Sequence, residues 1–467
     1  MKKFLDAAFL LDNPTAEELY HHQAALLPIV DMHNHLNPRE IALDCRYDNL
    51  TEAWLSGDHY KWRLLRANGI PEALITGDAS PREKFNAWAE TVPLTIGNPI
   101  YHWTQLELSR YFGIQKPLSP DTADEIWVEC NEKLQTPACS VRGLLRSQHV
   151  EVLCTTDDPA DDLRWHRQLR EEGYPLRVLP SFRPDRFLHM ERPDFPAYIR
   201  HFEEMCGQEL SSADRLIEAL SRRLDYFIEL GCRSADHSLE ESFRADASYE
   251  TANRCYQKRL SGKMTDDTER TAFRGWLLRE LGTVYAARHI VMQLHIGARR
   301  NNSTRLFSLL GADAGADCMS DRPYSDDLIL LLDVLDACGS LPRTVLYYLN
   351  PKDADLFASI AGSFQANDEG IRGKVQLGPA WWFCDHRRGM EQQMDALSDL
   401  GLLSTFIGMT TDSRSFLSFP RHEYFRRILC SRIGRLAENG EYPDDPVFLG
   451  RLIENICCEN ARIYFRL

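Results

Sequence analysis

Eight short apolar runs, separated by stretches whose apolar residues recur at helical spacing, constrain this chain more than any other feature. The runs lie at 24–30, 150–155, 176–180, 232–235, 290–294, 344–348, 374–377 and 405–409. Each is short and rich in branched or aromatic residues, as strands are. From 150 onward, helical patterns at 161–172, 212–230, 269–288, 325–337, 353–363, 389–400, 423–436 and 446–464 fill the intervals. Strand–helix alternation repeated eight times is the arithmetic of a (β/α)8 TIM-type barrel, although a doubly wound sheet alternates similarly. Between the first two runs the pattern is almost purely helical, with segments at 50–66, 82–91, 101–111, 121–134 and 141–147. The expected fold is therefore an α/β barrel with a large helical insertion after its first strand. Residues 1–36 hold an N-terminal segment and the first strand, 37–148 the insertion, and 149–467 the remaining barrel and C-terminal helices. Thr15, with Glu18 three residues on, reads as the cap of a helix leading into the first strand.

The first run ends in Asp31-Met32-His33-Asn34-His35. Two imidazoles at i and i+2 on extended chain face the same side, so His33 and His35 could share one ion or one substrate. Two histidines alone are equally compatible with packing, and a third ligand must come from elsewhere. Closing a barrel sets the eighth strand beside the first, with active groups at the strands' C-terminal ends. That brings Asp412, in Thr410-Thr411-Asp412-Ser413-Arg414, beside the histidines and completes a two-His, one-carboxylate set with open positions. Other strand ends carry Arg183, Asp185 and Arg186, then Asp236-His237, then His295, then Trp381-Trp382. His295 and the Asp236-His237 pair read as local hydrogen-bonding groups, with His237 a further candidate ligand, and the tryptophans as wall or core.

A net charge of −15 excludes the basic footprint that nucleic acid or an anionic membrane requires, and no apolar stretch is long enough to span a bilayer. An anionic small molecule would need a local basic cluster, and Arg183, Arg186 and Arg414 supply planar forks matched to a carboxylate. The 13 cysteines include no C-x-x-C and read as reduced thiols of a cytoplasmic protein. Assembly into a homo-oligomer is left open.

The segments Asp31–Leu36, 54–63 (Trp-Leu-Ser-Gly-Asp-His-Tyr-Lys-Trp-Arg), 180–186 (Pro-Ser-Phe-Arg-Pro-Asp-Arg) and 411–416 (Thr-Asp-Ser-Arg-Ser-Phe) closely resemble the uronate (glucuronate) isomerase family of the amidohydrolase superfamily. The resemblance spans essentially the whole chain. It implies an aldose–ketose isomerase that interconverts D-glucuronate with D-fructuronate and D-galacturonate with D-tagaturonate in hexuronate catabolism. It also implies one divalent ion, zinc, held by His33, His35 and Asp412, because the lysine that bridges two ions in binuclear relatives is missing from 231–236. Moving a carbonyl from C1 to C2 requires a base, a stabilised cis-enediolate and return of a proton, with a hydride shift as the competing route. Tyr60, His35 and Asp412 are the expected proton handlers. Arg186 and Arg414 are the expected carboxylate and hydroxyl anchors, with His59 and His295 as further substrate contacts. A metal-dependent hydrolase of the same superfamily and a noncatalytic sugar-acid binder are the rival readings.

Overall fold

The computed structural model describes residues 3–366 and 371–467. Seven of the expected strands form where expected: Ile29–Asp31, Val150–Cys154, Arg177–Leu179, Ser234–Leu239, Val291–Ile296, Thr344–Tyr348 and Val375–Leu377, here the first to the seventh. The first three pair in parallel, and so do the last four. Phe182 joins the two groups in sequence order, donating from its N–H to the Ser234 carbonyl at 3.0 Å and accepting from the Asp236 N–H at 3.0 Å. The result is a mixed α/β fold whose parallel strands are connected through helices. A small ribbon of Ala298–Arg299 against Cys318–Met319 stands apart.

The eighth expected strand does not form. Leu403–Thr405 is a 3-10 turn, and the following chain is extended without strand pairing. Gly408 adopts φ +80°, and a Cβ there would lie 2.3 Å from the Ile456 carbonyl oxygen. This left-handed kink, imposed by the C-terminal segment packed beneath it, breaks the pleat that a strand needs. The segment nevertheless lies against the continuation of the first strand. The Asp412 N–H donates to the His33 carbonyl at 3.1 Å, and the His35 N–H donates to the Ser413 carbonyl at 2.9 Å. The expected helix over 446–464 is also interrupted, by a π-helical stretch at Asn455–Glu459. Just beyond it the Asn460 amide donates to the Ser404 and Phe406 carbonyls at 2.9 and 2.8 Å, tying this helix to the kinked segment.

In the insertion, the expected 50–66 helix splits into Leu50–Leu55 and His59–Ala67. Asp58 causes the restart: its carboxylate accepts from the Tyr60 and Lys61 N–H groups at 3.0 and 3.1 Å, a side-chain N-cap. His59 and Tyr60 are thereby fixed in a first helical turn. At the N-terminus the cap is Asn13, not Thr15, because the Asn13 side-chain Oδ1 accepts the Ala16 N–H at 2.8 Å. Thr15 instead bonds Glu438 at 2.7 Å. No helix among the described residues is long and apolar enough to cross a membrane, and all the cysteines are free thiols.

Strand alternation sorts the interior. Leu294 and Leu346 on neighbouring strands are fully buried aliphatics, while their alternates Gln293, His295 and Tyr347 gather with Asp236 as a buried polar layer. Tyr347 donates to the Gln293 side chain at 2.6 Å, and His295 stacks on the Tyr347 ring with centroids 4.2 Å apart. That layer underlies the site.

Candidate active site

The first strand ends at Asp31, so His33 and His35 stand just beyond it rather than on it. Asp31 organises what comes next. Its buried carboxylate takes the Thr410 hydroxyl at 2.7 Å, the Thr411 hydroxyl at 2.5 Å and the Thr411 N–H at 3.0 Å. This clamps the kinked segment to the first strand and delivers Asp412, itself at φ 47°, over the histidines. Asp412 Oδ1 lies 3.2 Å from His33 Nε2 and 3.1 Å from His35 Nε2. Its other oxygen accepts the Trp381 indole N–H at 2.7 Å.

Burial alone would raise the Asp412 pKa, but hydrogen bonds from His33 and His35 hold it well below the usual carboxylate range. Burial lowers His35 to about 4 despite the pull of Asp412. Burial opposes charge on His33 too, yet Asp412 and Asp236 outweigh it and hold His33 above the ordinary imidazole value.

These three side chains fit a divalent ion. One donor atom from each of His33, His35 and Asp412 lies within 4.8 Å of the others, and two imidazoles with a carboxylate suit zinc. A second set, His33, Asp236 and His295, meets the same spacing. There, however, the Arg183 guanidinium already sits 3.1 Å from Asp236 Oδ2 and neutralises the only anionic donor. One cation is the arrangement that these charges favour.

A cavity of about 910 Å³ opens above this group. Its walls include Tyr60 from the insertion, Arg186 and Arg414. The Tyr60 hydroxyl is buried without a protein hydrogen-bond partner. It lies at the wall of this polar cavity, where a buried hydroxyl is open to a bound partner.

Residues 1–465 match the glucuronate isomerase family. The chain belongs to that family. The uronate isomerase of Photorhabdus laumondii is 51% identical over 471 residues, covering all of this chain and 99% of that protein. Among solved structures, the uronate isomerase of Thermotoga maritima superposes with a TM-score of 0.93 at 34% identity, covering 99% of this chain and 100% of that one. The glucuronate isomerase of Caulobacter crescentus gives 0.91 at 27% identity, over 99% of this chain and 97% of that one.

In this glucuronate isomerase family member the other expected site residues divide into rim and floor. Arg186, 42% exposed, pairs with Asp194 at 3.0 Å and lies over the Tyr198 ring at 3.7 Å. Arg414, 37% exposed, faces Asp313 at 3.5 Å. His59 stacks on Tyr60 at 4.9 Å and meets Trp382 edge-on at 5.5 Å. His295 belongs to the floor, its ring 4.4 Å from that of His33 and both its nitrogens without hydrogen-bond partners.

Several residues matter more than the sequence disclosed. Asp236 read as local structure, but it faces both His33 and His295, with its Oδ2 3.7 and 3.9 Å from their Nδ1 atoms. His237, its neighbour, points the other way: its Nε2 is 3.1 Å from the Tyr285 hydroxyl and its Nδ1 3.8 Å from Asp185, which removes it as a ligand of this ion. The alternation of a six-residue strand separates them, and reading the fourth strand through Leu239 instead of stopping at 235 would have revealed it. Arg183 is not a free anion anchor. It is spent between Asp185, at 2.7 Å, and Asp236.

Proposed function

We propose that this chain interconverts D-glucuronate with D-fructuronate and D-galacturonate with D-tagaturonate, through proton transfer and a cis-enediolate. The carrying observation is the convergence of His33, His35 and Asp412 below the unpaired Tyr60 hydroxyl, in a chain aligned end to end with uronate isomerases. One divalent ion, zinc in this reading, would be held by His33, His35 and Asp412 and would supply Lewis acidity toward substrate oxygens. In this reading Asp412 or His35 takes the C2 proton, and Tyr60 donates a hydrogen bond to the oxygen that gains charge. Arg186 and Arg414 hold the carboxylate at the cavity rim, with His59 and His295 against the sugar hydroxyls. The same reading closes the seven strands and the 406–412 segment into one barrel, with 37–148 as its cap, supported by the hydrogen bonds from Asp412 to His33 and from His35 to Ser413.

The test is an assay of the zinc-loaded protein with each aldouronate, monitoring the ketouronates. Both conversions are expected, and reaction in D2O should place deuterium at C1. Absence of ketouronate from both substrates would sink the isomerase reading, and cleavage of an ester or amide instead would favour the hydrolase. Deuterium-free product would replace proton transfer by a hydride shift.

The rim position of Arg186 sets the size of its effect. A buried, charge-paired arginine would cost about 2–5 kcal/mol on truncation, but water reaches this one, so Arg186→Met should cost about 1–3 kcal/mol in kcat/KM. The loss should appear mainly in KM, and Arg186→Lys, which keeps charge without the two-point fork, should fall between wild type and Met. An unchanged KM for Arg186→Met would move the carboxylate anchor to Arg414.

A further inference from the structure

Among the buried guanidinium groups, that of Arg421 lines the cavity without belonging to the ion group or the exposed rim. Arg421, on the helix Pro420–Glu438, is 2% exposed. Burying a cation so completely is unfavourable unless its surroundings hold it in one place for a reason. Its Nη1 donates to the Thr411 carbonyl at 3.2 Å, one residue before Asp412, and lies 3.5 Å from Asp385 Oδ2. The guanidinium covers the Trp103 ring at 4.0 Å and sits 5.6 Å from the Tyr60 ring centroid. Trp103 in turn meets Tyr60 edge-on at 6.4 Å, while His59 stacks on Tyr60. Arg421 is thus a wedge from the barrel side, driven between two aromatic residues of the insertion. Asp58, which caps the helix bearing Tyr60, is itself paired with the buried Lys61 and lies within electrostatic reach of Arg421.

We propose that Arg421 is a positioning residue for the isomerisation, acting through Tyr60 by holding its ring, and so its hydroxyl, at a fixed place over the ion group. This rests on Tyr60 acting in the reaction. The planar cation meets an aromatic face while its Nη1 donates to the Thr411 carbonyl and pairs with Asp385, so the ring of the cap is referenced to the turn that carries Asp412. Lysine would keep the charge but lose the flat surface that meets the Trp103 ring.

The experiment is a double-mutant cycle on the zinc-loaded enzyme, with kcat and KM measured for Arg421→Lys, Arg421→Gln, Tyr60→Phe and the two combined variants. Arg421→Lys should lower kcat by about 10- to 100-fold with KM within about threefold, and Arg421→Gln should lower it further. In the Tyr60→Phe background either change should cost less than about threefold, because the group being positioned is gone. Equal fold losses in both backgrounds would overturn the inference, as would a loss carried by KM. A Tyr60→Phe enzyme with wild-type kcat would sink the role of Tyr60 and this inference together, whereas a damaged Tyr60→Phe with additive losses would sink this inference alone. If Arg421→Gln does not fold, the Lys arm decides by the same criteria.

Discussion

Asp412→Asn is expected to lower kcat/KM by at least ~10³-fold, about 4 kcal/mol of transition-state stabilisation, and to reduce bound metal well below one ion per chain. One oxygen of this carboxylate serves two imidazoles at 3.2 and 3.1 Å, and the other accepts the Trp381 N–H at 2.7 Å. Asparagine has only one carbonyl oxygen to cover both demands. If that oxygen keeps the indole, an amide NH2 faces His33 and His35, where a donor repels a cation and forces both rings to present lone pairs. If it turns to the histidines, the Trp381 N–H is stranded in a buried site, which costs about 1–3 kcal/mol. Either way the negative charge is lost, and with it the electrostatic part of the ion's affinity. Steady-state kinetics and elemental analysis of the same preparation check this. Retention of full metal content with near-normal kcat/KM would mean that Asp412 is neither ligand nor base.

The sequence disclosed the elements of this site more readily than their connections. His33 and His35 were legible because an i, i+2 pair after an apolar run carries its own geometry, and Asp412 because barrel closure brings the ends of the chain's alternation together. The 405–409 run is apolar like the others but forms no paired strand, because Gly408 is pinned against Ile456 by a segment distant in sequence. Local composition cannot show that contact. Asp236 and His237 looked alike as neighbours and became opposites only when the strand's full length set their faces. Arg421 gave no signal at all. Its helix is charged along its length, with Arg421, Arg426 and Arg427 all buried, so the usual inference from charge to solvent exposure fails. The split at Asp58 was equally hidden, since a single carboxylate turned back on two N–H groups decides where Tyr60 points.

Tyr60→Phe is expected to lower kcat by about 10²–10⁴-fold, the range for removing a positioned proton donor, while leaving KM nearly unchanged. Burial holds the phenol pKa well above its ordinary value, with the Asp412 and Asp385 charges pushing the same way. At neutral pH the hydroxyl therefore keeps its proton, which in the proposed reaction suits Tyr60 to donate to the substrate's oxygen and not to take the C2 proton. In the proposed reaction this leaves the Asp412–His35 pair to take the C2 proton. Because the hydroxyl has no protein partner among the described residues, Phe removes no internal hydrogen bond and relieves a buried unpaired group. Thermal stability should stay level or rise slightly, since deleting an unsatisfied polar atom is neutral to favourable. The ring contacts with His59 and Trp103 survive the change. A kcat loss with an unchanged melting temperature and KM would therefore isolate the proton as what was lost. A wild-type kcat would take Tyr60 out of the chemical step and leave charge stabilisation on the developing enediolate to other groups lining the cavity.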